Sequence, residues 1–333
     1  MPDLFEEDNR RENALFVDRM FAGDVPALDI DRAFQAVLVR AALARSSGRN
    51  GAIGLALAAA IAFAVLLTPL GSYATQFLTI FEPKSFVPLG ITAQDSEQLR
   101  LMPHLSDFGR IRATRPATRV VRSAAEAASI AGFWPRALAY SPPSRQPKIN
   151  RLVLLPSTDA FTFSAARAQA YENRFHRHLP PMPAGLDGTT IRATLGPGVM
   201  TTYGVARGSL NDRRRADMGE GALVFVQYKA PYVTSTGASI ETLGEYLLSL
   251  PNVPAHIADQ LRAIGDPSST VPVPFEITQA NAEQVDVDGT RGLAIGDQTG
   301  LGAGVLWQKN GIVYLVEGSM PQSEILKLAN GLR

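Results

Sequence analysis

The chain has 333 residues, and its 32 Lys and Arg against 31 Asp and Glu leave a net charge of +1, so charge calls for no nucleic-acid partner and no strongly acidic one. It has no cysteine, which excludes disulfides, thiolate metal sites, cysteine nucleophiles and a lipid-modified cysteine anchor. Charged residues make up 19%, below the usual quarter, and one long uncharged run explains part of that deficit.

Residues 1–50 split into two short helical patterns. Phe5 to Phe21 carries Leu15, Phe16, Val17 and Met20 among mixed charges, and Val25-Pro26 then breaks the chain. Asp29 or Asp31 can cap a second helix whose apolar stripe is Phe34, Val37, Leu38 and Ala41, at i, i+3, i+4 and i+7. Two helices of this size bury too little surface to be stable alone. Two readings stay open. One is a solvated arm whose stripe lies on a membrane or folds back; the other is a segment that orders on contact with a cytoplasmic protein.

Gly51 to Leu70, GAIGLALAAAIAFAVLLTPL, carries no charge, and its only polar group is the hydroxyl of Thr68. As a helix rising about 1.5 Å per residue it reaches about 30 Å, the thickness of a bilayer's hydrocarbon core. Gly51, Leu55, Ile61, Leu66 and Leu70 mark its length, and the expected span runs over 51–73. A buried helix would be amphipathic, and a cleaved signal peptide would have a short basic leader in place of residues 1–50. Ser72 and Ala74 still make a small-x-small pair of the kind a signal peptidase cuts. Arg32, Arg40, Arg45 and Arg49 precede the run with no acid after Asp31, whereas Lys84 is the first basic residue beyond it and Arg100 the next. The positive-inside rule therefore puts the N-terminus in the cytoplasm and residues from about 75 onward outside. Tyr73 and Phe77 fall where interfacial aromatics are expected.

Residues 74–118 read as a tether. Pro83, Pro88 and Pro103 are scattered through polar residues without a period, and Phe77, Leu78, Ile80 and Phe81 suit the membrane interface. A folded unit is expected over 119–333. Ser123 and Glu126 have capping-box spacing ahead of an alanine-rich helix that stops at Gly132. A proline-rich stretch follows, then strands at Leu152–Leu155 and Ala160–Phe163 and a helix from Ser164 to His176. Thr189–Leu195, Val199–Val205 and Ala222–Tyr228 read as further strands. Helices are expected from Ser239 to Leu250, with Ile240, Leu243, Leu247 and Leu248 on the apolar side, and from Pro254 to Ile264. Val285–Val287, Arg291–Ile295, Gly304–Gln308 and Ile312–Glu317 form a meander, with Asp288-Gly289 and Asn310-Gly311 as hairpin turns. A last helix from Pro321 carries the stripe Ile325, Leu328, Ala329 and Leu332. Many antiparallel strands and a few helices on one face indicate an α+β domain, built on a mainly antiparallel twisted sheet.

The opening SAAEAASIAGFWPRALAYSPPS and the close GVLWQKNGIVYLVEGSMPQSEILKLANGL resemble the two ends of a family of bacterial extracytoplasmic domains of unknown function. Those domains are attached to membrane-anchored anti-sigma-factor-like proteins. The closing pattern is a tryptophan strand at Trp307, the Asn310-Gly311 hairpin, a strand with Tyr314 and a terminal helix over Ile325 to Leu332. The resemblance implies a fold like the half-barrels of lipoprotein carriers and envelope-stress regulators, in the bacterial inner membrane. Many such proteins hold a zinc motif of His and Cys in the cytoplasmic segment, and residues 1–50 contain neither.

Candidate chemistry is sparse. The histidines are His104, His176, His178 and His256, and His176-Arg177-His178 offers two ligands with no third nearby in sequence. No Gly-x-Ser-x-Gly elbow is present. The glycine-rich stretch Gly296 to Gly304 has no P-loop lysine and precedes a strand, so it reads as a turn or bulge. Arg213, Arg214 and Arg215 could touch headgroups or an acidic partner, but Asp212, Asp217 and Glu220 offset them. Trp307 and Tyr314 either stack on a ligand or pack in the core. The expectation is a non-enzymatic, single-pass protein of the bilayer without a metal or cofactor, acting as a sensor or scaffold for a protein, peptide or lipid-like ligand. The alternative is a tethered carrier for an apolar ligand.

Overall fold

The computed structural model describes residues 78–114, 117–140, 149–204 and 223–333. The arm with Phe34, Val37, Leu38 and Ala41, the span from Gly51 to Leu70, Arg40, Arg45 and Arg49, the Ser72–Ala74 pair and Arg213–Arg215 lie outside the described residues. Among the described residues no helix is long and apolar enough to cross a membrane.

The described chain is an α+β domain with antiparallel sheets and several helices. Its C-terminal part is a meander of β12 (Ala280–Val287), β13 (Thr290–Asp297), β14 (Ala303–Lys309) and β15 (Ile312–Gly318). Asp288 and Gly289 have φ of 51° and 74°, and Asn310 and Gly311 have 53° and 73°. Positive φ at both central residues makes type I′ turns, which match the twist of the flanking strands. β15 then pairs with β9 (Leu223–Lys229), and β8 (Gly198–Tyr203), β5 (Ile149–Leu154) and β4 (Thr118–Val121) complete an eight-stranded antiparallel sheet.

Helices α3 (Ala124–Ala131) and α7 (Gln322–Asn330) cover one face of that sheet. The Ser123 hydroxyl accepts from the Glu126 amide at 3.1 Å, and Gly132 ends α3 at φ 69°. The Glu126 carboxylate accepts from the Arg122 amide at 2.9 Å, one residue before the position a capping box would use. Ile325 and Ala329 of α7 are fully buried against Val305, Trp307 and Val316.

The opposite, inner face packs against a second layer. It contains a five-stranded antiparallel sheet in the order β1 (Leu78–Phe81), β10 (Tyr232–Ser235), β7 (Thr190–Leu195), β6 (Ser157–Phe163) and β3 (Gly109–Arg112). It also contains the parallel pair β2 (Ser85–Ile91) and β11 (Thr270–Glu276). The largest core cluster lies between the layers and includes Phe81, Phe86, Phe161, Phe163, Leu293, Leu306 and Leu315. Phe161 and Phe163 meet edge-on at 4.7 Å, the geometry that ring quadrupoles favour. Five further helices are α1 (Ala93–Arg100), α2 (Leu105–Phe108), α4 (Ala165–Phe175), α5 (Ile240–Leu248) and α6 (Ala255–Arg262). Leu243 and Leu247 of α5 join the main core, and Ile257 and Leu261 of α6 pack on Leu89 and Ile91 of β2.

The tether expected over 74–118 is corrected from residue 78 onward. β1 pairs with β10 and β2 with β11, partners far away in sequence, so no local period announces them. Phe81 is 2% exposed and belongs to the core, not to a membrane interface. The prolines also mislead. Pro272 and Pro274 stand two apart in β11, so both missing N–H groups fall on one edge and the ladder to β2 uses the other. The folded domain therefore includes the chain from Leu78 onward, and the boundary expected at 119 falls inside the eight-stranded sheet.

Candidate functional site

Alternation along β15 sends Tyr314 and Val316 toward α7 and Val313, Leu315 and Glu317 toward the inner face. Register extends the row that holds Glu317. Gly304 pairs with Glu317, Glu317 with Val224, Val224 with Thr202, and Thr202 with Asn150. The neighbouring row is Leu306, Leu315, Val226, Met200, Leu152 and Val120. Glu317 is thus a carboxylic acid beside a row built wholly of apolar side chains.

Glu317 is 6% exposed, and among the described residues no hydrogen bond or charge offsets the burial of its carboxyl. Burial alone raises its pKa from 4.5 to about 8, so the acid is mostly protonated at neutral pH. Two strands away Thr202 is 1% exposed, and its hydroxyl also has no partner. Further along the same face the Tyr228 hydroxyl is buried without a partner, and burial pushes its pKa far up. Buried polar groups in native proteins are nearly always paired, and an unpaired hydroxyl costs roughly 1–3 kcal/mol. Several such groups on one sheet face mark a place where a partner from outside the chain would relieve a cost already present.

The inner face is not covered evenly. Leu293, Leu306 and Leu315 are closed in by the second layer. Toward β4 the cover thins: Val120 is 56% exposed, and Leu152, Leu154 and Met200 are half-buried outside the core clusters. An apolar surface therefore runs from an open end at β4 and β5 toward the Thr202 and Glu317 positions. Such a surface suits a ligand with an apolar body and one polar group.

The outer face is closed. Trp307 is fully buried and stacks on Tyr314 at 5.1 Å, and Tyr314 stacks on Phe225 at 6.3 Å. These aromatics lie beneath α7 and do not reach the inner face. The segment Phe133–Tyr140 straps across them. The backbone of Arg136 donates to the Gln227 side chain at 2.8 Å and accepts from it at 2.9 Å. Ala137 and Arg333 exchange two backbone bonds, at 2.9 and 3.1 Å. The Arg136 guanidinium pairs with Asp288, donates to the Leu332 carbonyl at 3.0 Å, and lies 6.0 Å over the Tyr314 ring. Burial pushes the Asp288 acid up, but hydrogen bonds from Arg136 and Lys309 outweigh it and hold the carboxyl below its usual range.

The histidines do not converge. His176 ends α4 at φ 50°, and the fully exposed His178 is 4.0 Å from Glu172. His256 bonds Asp95 at 3.0 Å, bridging α6 to α1. Burial raises the Asp95 pKa, but bonds from Thr92 and His256 lower it further and prevail. Among the described residues no group of three His, Cys, Asp or Glu could hold a metal ion. The glycine-rich stretch is the β13–β14 turn, where Asp297 accepts from Thr299 at 2.8 Å and from the Leu301 amide at 3.1 Å.

Reading the sequence alone misses Glu317, Thr202 and Tyr228. The signal for Glu317 is parity: it is two residues beyond Leu315 and four beyond Val313, so it extends an inward apolar register. No protein-family model, no curated protein and no solved structure matches the chain.

Proposed function

We propose that the chain is a single-pass inner-membrane protein whose extracytoplasmic domain binds a lipid-like ligand on the inner face of its eight-stranded sheet. The ligand's apolar body lies along Val120, Leu152, Met200 and Val226, and its polar group meets Glu317 and Thr202. One observation carries this reading: a buried acid that no hydrogen bond or charge offsets shares a mostly apolar face with an unpaired buried hydroxyl, and that face is open at one end. A protonated Glu317 donates to an ester or amide oxygen, and an ionised one accepts from an amine. The apolar run before the domain supports the anchor, and the arginines before that run support a cytoplasmic N-terminus. On this reading the protein is a sensor or scaffold in envelope signalling, like the membrane-anchored anti-sigma-factor-like proteins whose end motifs its own resemble. The arm over residues 1–50 passes the ligand state to a cytoplasmic partner.

The half-open face also favours the carrier alternative, in which the ligand is handed on and the arm serves only as an anchor. Native mass spectrometry of the detergent-purified full chain tests the binding claim. A co-purified lipid that is lost in Glu317→Leu is expected. A ligand-free wild-type chain that takes up no phospholipid from mixed micelles sinks the reading. Pull-down with the full chain then separates sensor from carrier, since only the sensor captures a cytoplasmic protein through residues 1–50.

A further inference from the structure

The five-stranded sheet has a face the core does not use. Alternation turns Ile111, Phe161, Ile191 and Val233 inward, and the residues between them point away from the domain. The outward set is basic and polar. Arg110 aligns with Thr162, and Thr162 with Thr190. Arg112 aligns with Ala160, and Ala160 with Arg192, so two arginines stand two strands apart, about 10 Å. All three arginines are exposed. The Thr162 and Thr190 hydroxyls bond each other at 2.8 Å, which keeps the face polar and level. The five strands contain a single acid, Asp159, which is in the inward register and accepts from the Thr114 amide at 2.7 Å. Tyr232, 42% exposed, sits on the same outward face.

The chain also says what lies near this face. β1, an edge strand of this sheet, starts at Leu78, and the apolar run ends at Leu70. Residues 71–77 reach at most roughly 25 Å even when fully extended. Of the two large sheets, the five-stranded one is therefore the one tied directly to the run.

We propose that this face docks on the anionic headgroup surface of the membrane that the run enters. Guanidiniums fork onto lipid phosphates, threonine hydroxyls meet headgroup oxygens, and Tyr232 sits at the interface. The inference rests on the anchor reading and adds a defined attitude of the domain to it.

The chain has no cysteine, so one engineered thiol is unique. Thr234→Cys on the outward face and Lys327→Cys on α7, across the domain, are each labelled with bimane in the full chain. The labelled chains are reconstituted in phosphatidylcholine vesicles with or without phosphatidylglycerol, each carrying a headgroup spin-labelled lipid as quencher. The Thr234 label is expected to be quenched in anionic vesicles at low salt and released at high salt or without phosphatidylglycerol, while the Lys327 label stays bright. Arg110→Gln and Arg112→Gln each lower the docked-to-free ratio about fivefold. A carbonate-resistant, membrane-integrated chain whose Thr234 label stays bright, or is quenched no more than the Lys327 label, overturns the docking and leaves the anchor standing. Equal quenching by neutral vesicles overturns the charge basis. A chain that carbonate extracts from the bilayer overturns the anchor reading, and the docking falls with it.

Discussion

The two faces of the eight-stranded sheet are built from the same strands with opposite rules. The outer face is sealed by α3, α7 and the Phe133–Tyr140 strap, and the strap's main chain is tied to Gln227 and Arg333 at both donors and acceptors. The inner face mixes a packed region with an open apolar margin and holds a buried acid and two unpartnered buried hydroxyls, whereas the outer face leaves one such group, the Trp307 indole N–H. A core that serves stability alone has no use for an unpaired carboxyl, because an aliphatic side chain of similar size would fit better. The contrast separates the part that holds the fold from the part available for binding.

The largest effect should fall on the outer face. Trp307→Ala removes a fully buried ring and its stack on Tyr314 and is expected to cost about 3–5 kcal/mol in urea unfolding of the micellar protein. A loss under 1 kcal/mol would mean that the outer face is not the stabilising one. Next comes the pH response of the inner face. The folded pKa of Glu317 lies at about 8, above the 4.5 of the exposed group, so the folded state holds the proton more tightly. Its contribution to stability is fully present below about pH 4.5 and is lost as pH rises through about 8, on the order of a few kcal/mol in all. Glu317→Gln should remove this slope between pH 5 and 8, and an unchanged slope would show that the acid finds a partner in solution.

At fixed pH 8, Glu317→Leu should stabilise the ligand-free chain by about 1–3 kcal/mol while abolishing lipid co-purification. Stabilisation together with retained lipid would separate the acid from the site. Arg136→Ala should cost about 2 kcal/mol, because it leaves the 12%-exposed Asp288 carboxylate with Lys309 alone. Smallest is Val120→Thr at the open margin, expected to move stability by less than about 0.5 kcal/mol yet weaken lipid retention. A large loss of stability there would mean that the margin is closed core.

What the sequence made legible follows contact range. The meander from β12 to β15 announces itself because each strand pairs with its neighbour across a short turn, and Asp288-Gly289 and Asn310-Gly311 name two of the turns. The helices from Ser123, Ser164 and Ser239 are equally readable, since each serine caps its own first turn. β1, β2, β10 and β11 were opaque because their partners are remote, and β11 carries two prolines that argue against a strand until its free edge is known. The binding candidate was opaque for a related reason. Trp307 and Tyr314 draw the eye as large aromatics, whereas Glu317 becomes notable only when strand register fixes which way it points.

The parallel pairing of β2 with β11 also sets a clock. Ser85 and Thr270 share a hydroxyl contact at 2.9 Å across 185 positions of chain. Ribosomes add about 5–20 residues per second, so an emerging β2 waits roughly 10 to 40 s for its partner to be synthesised. Through that interval Phe86, Leu89 and Ile91 have no strand to pair with, and for most of it Leu89 and Ile91 have no α6 to pack against. Nascent chains should therefore depend on a holding chaperone until β11 has been made, and truncations before Thr270 should aggregate rather than fold.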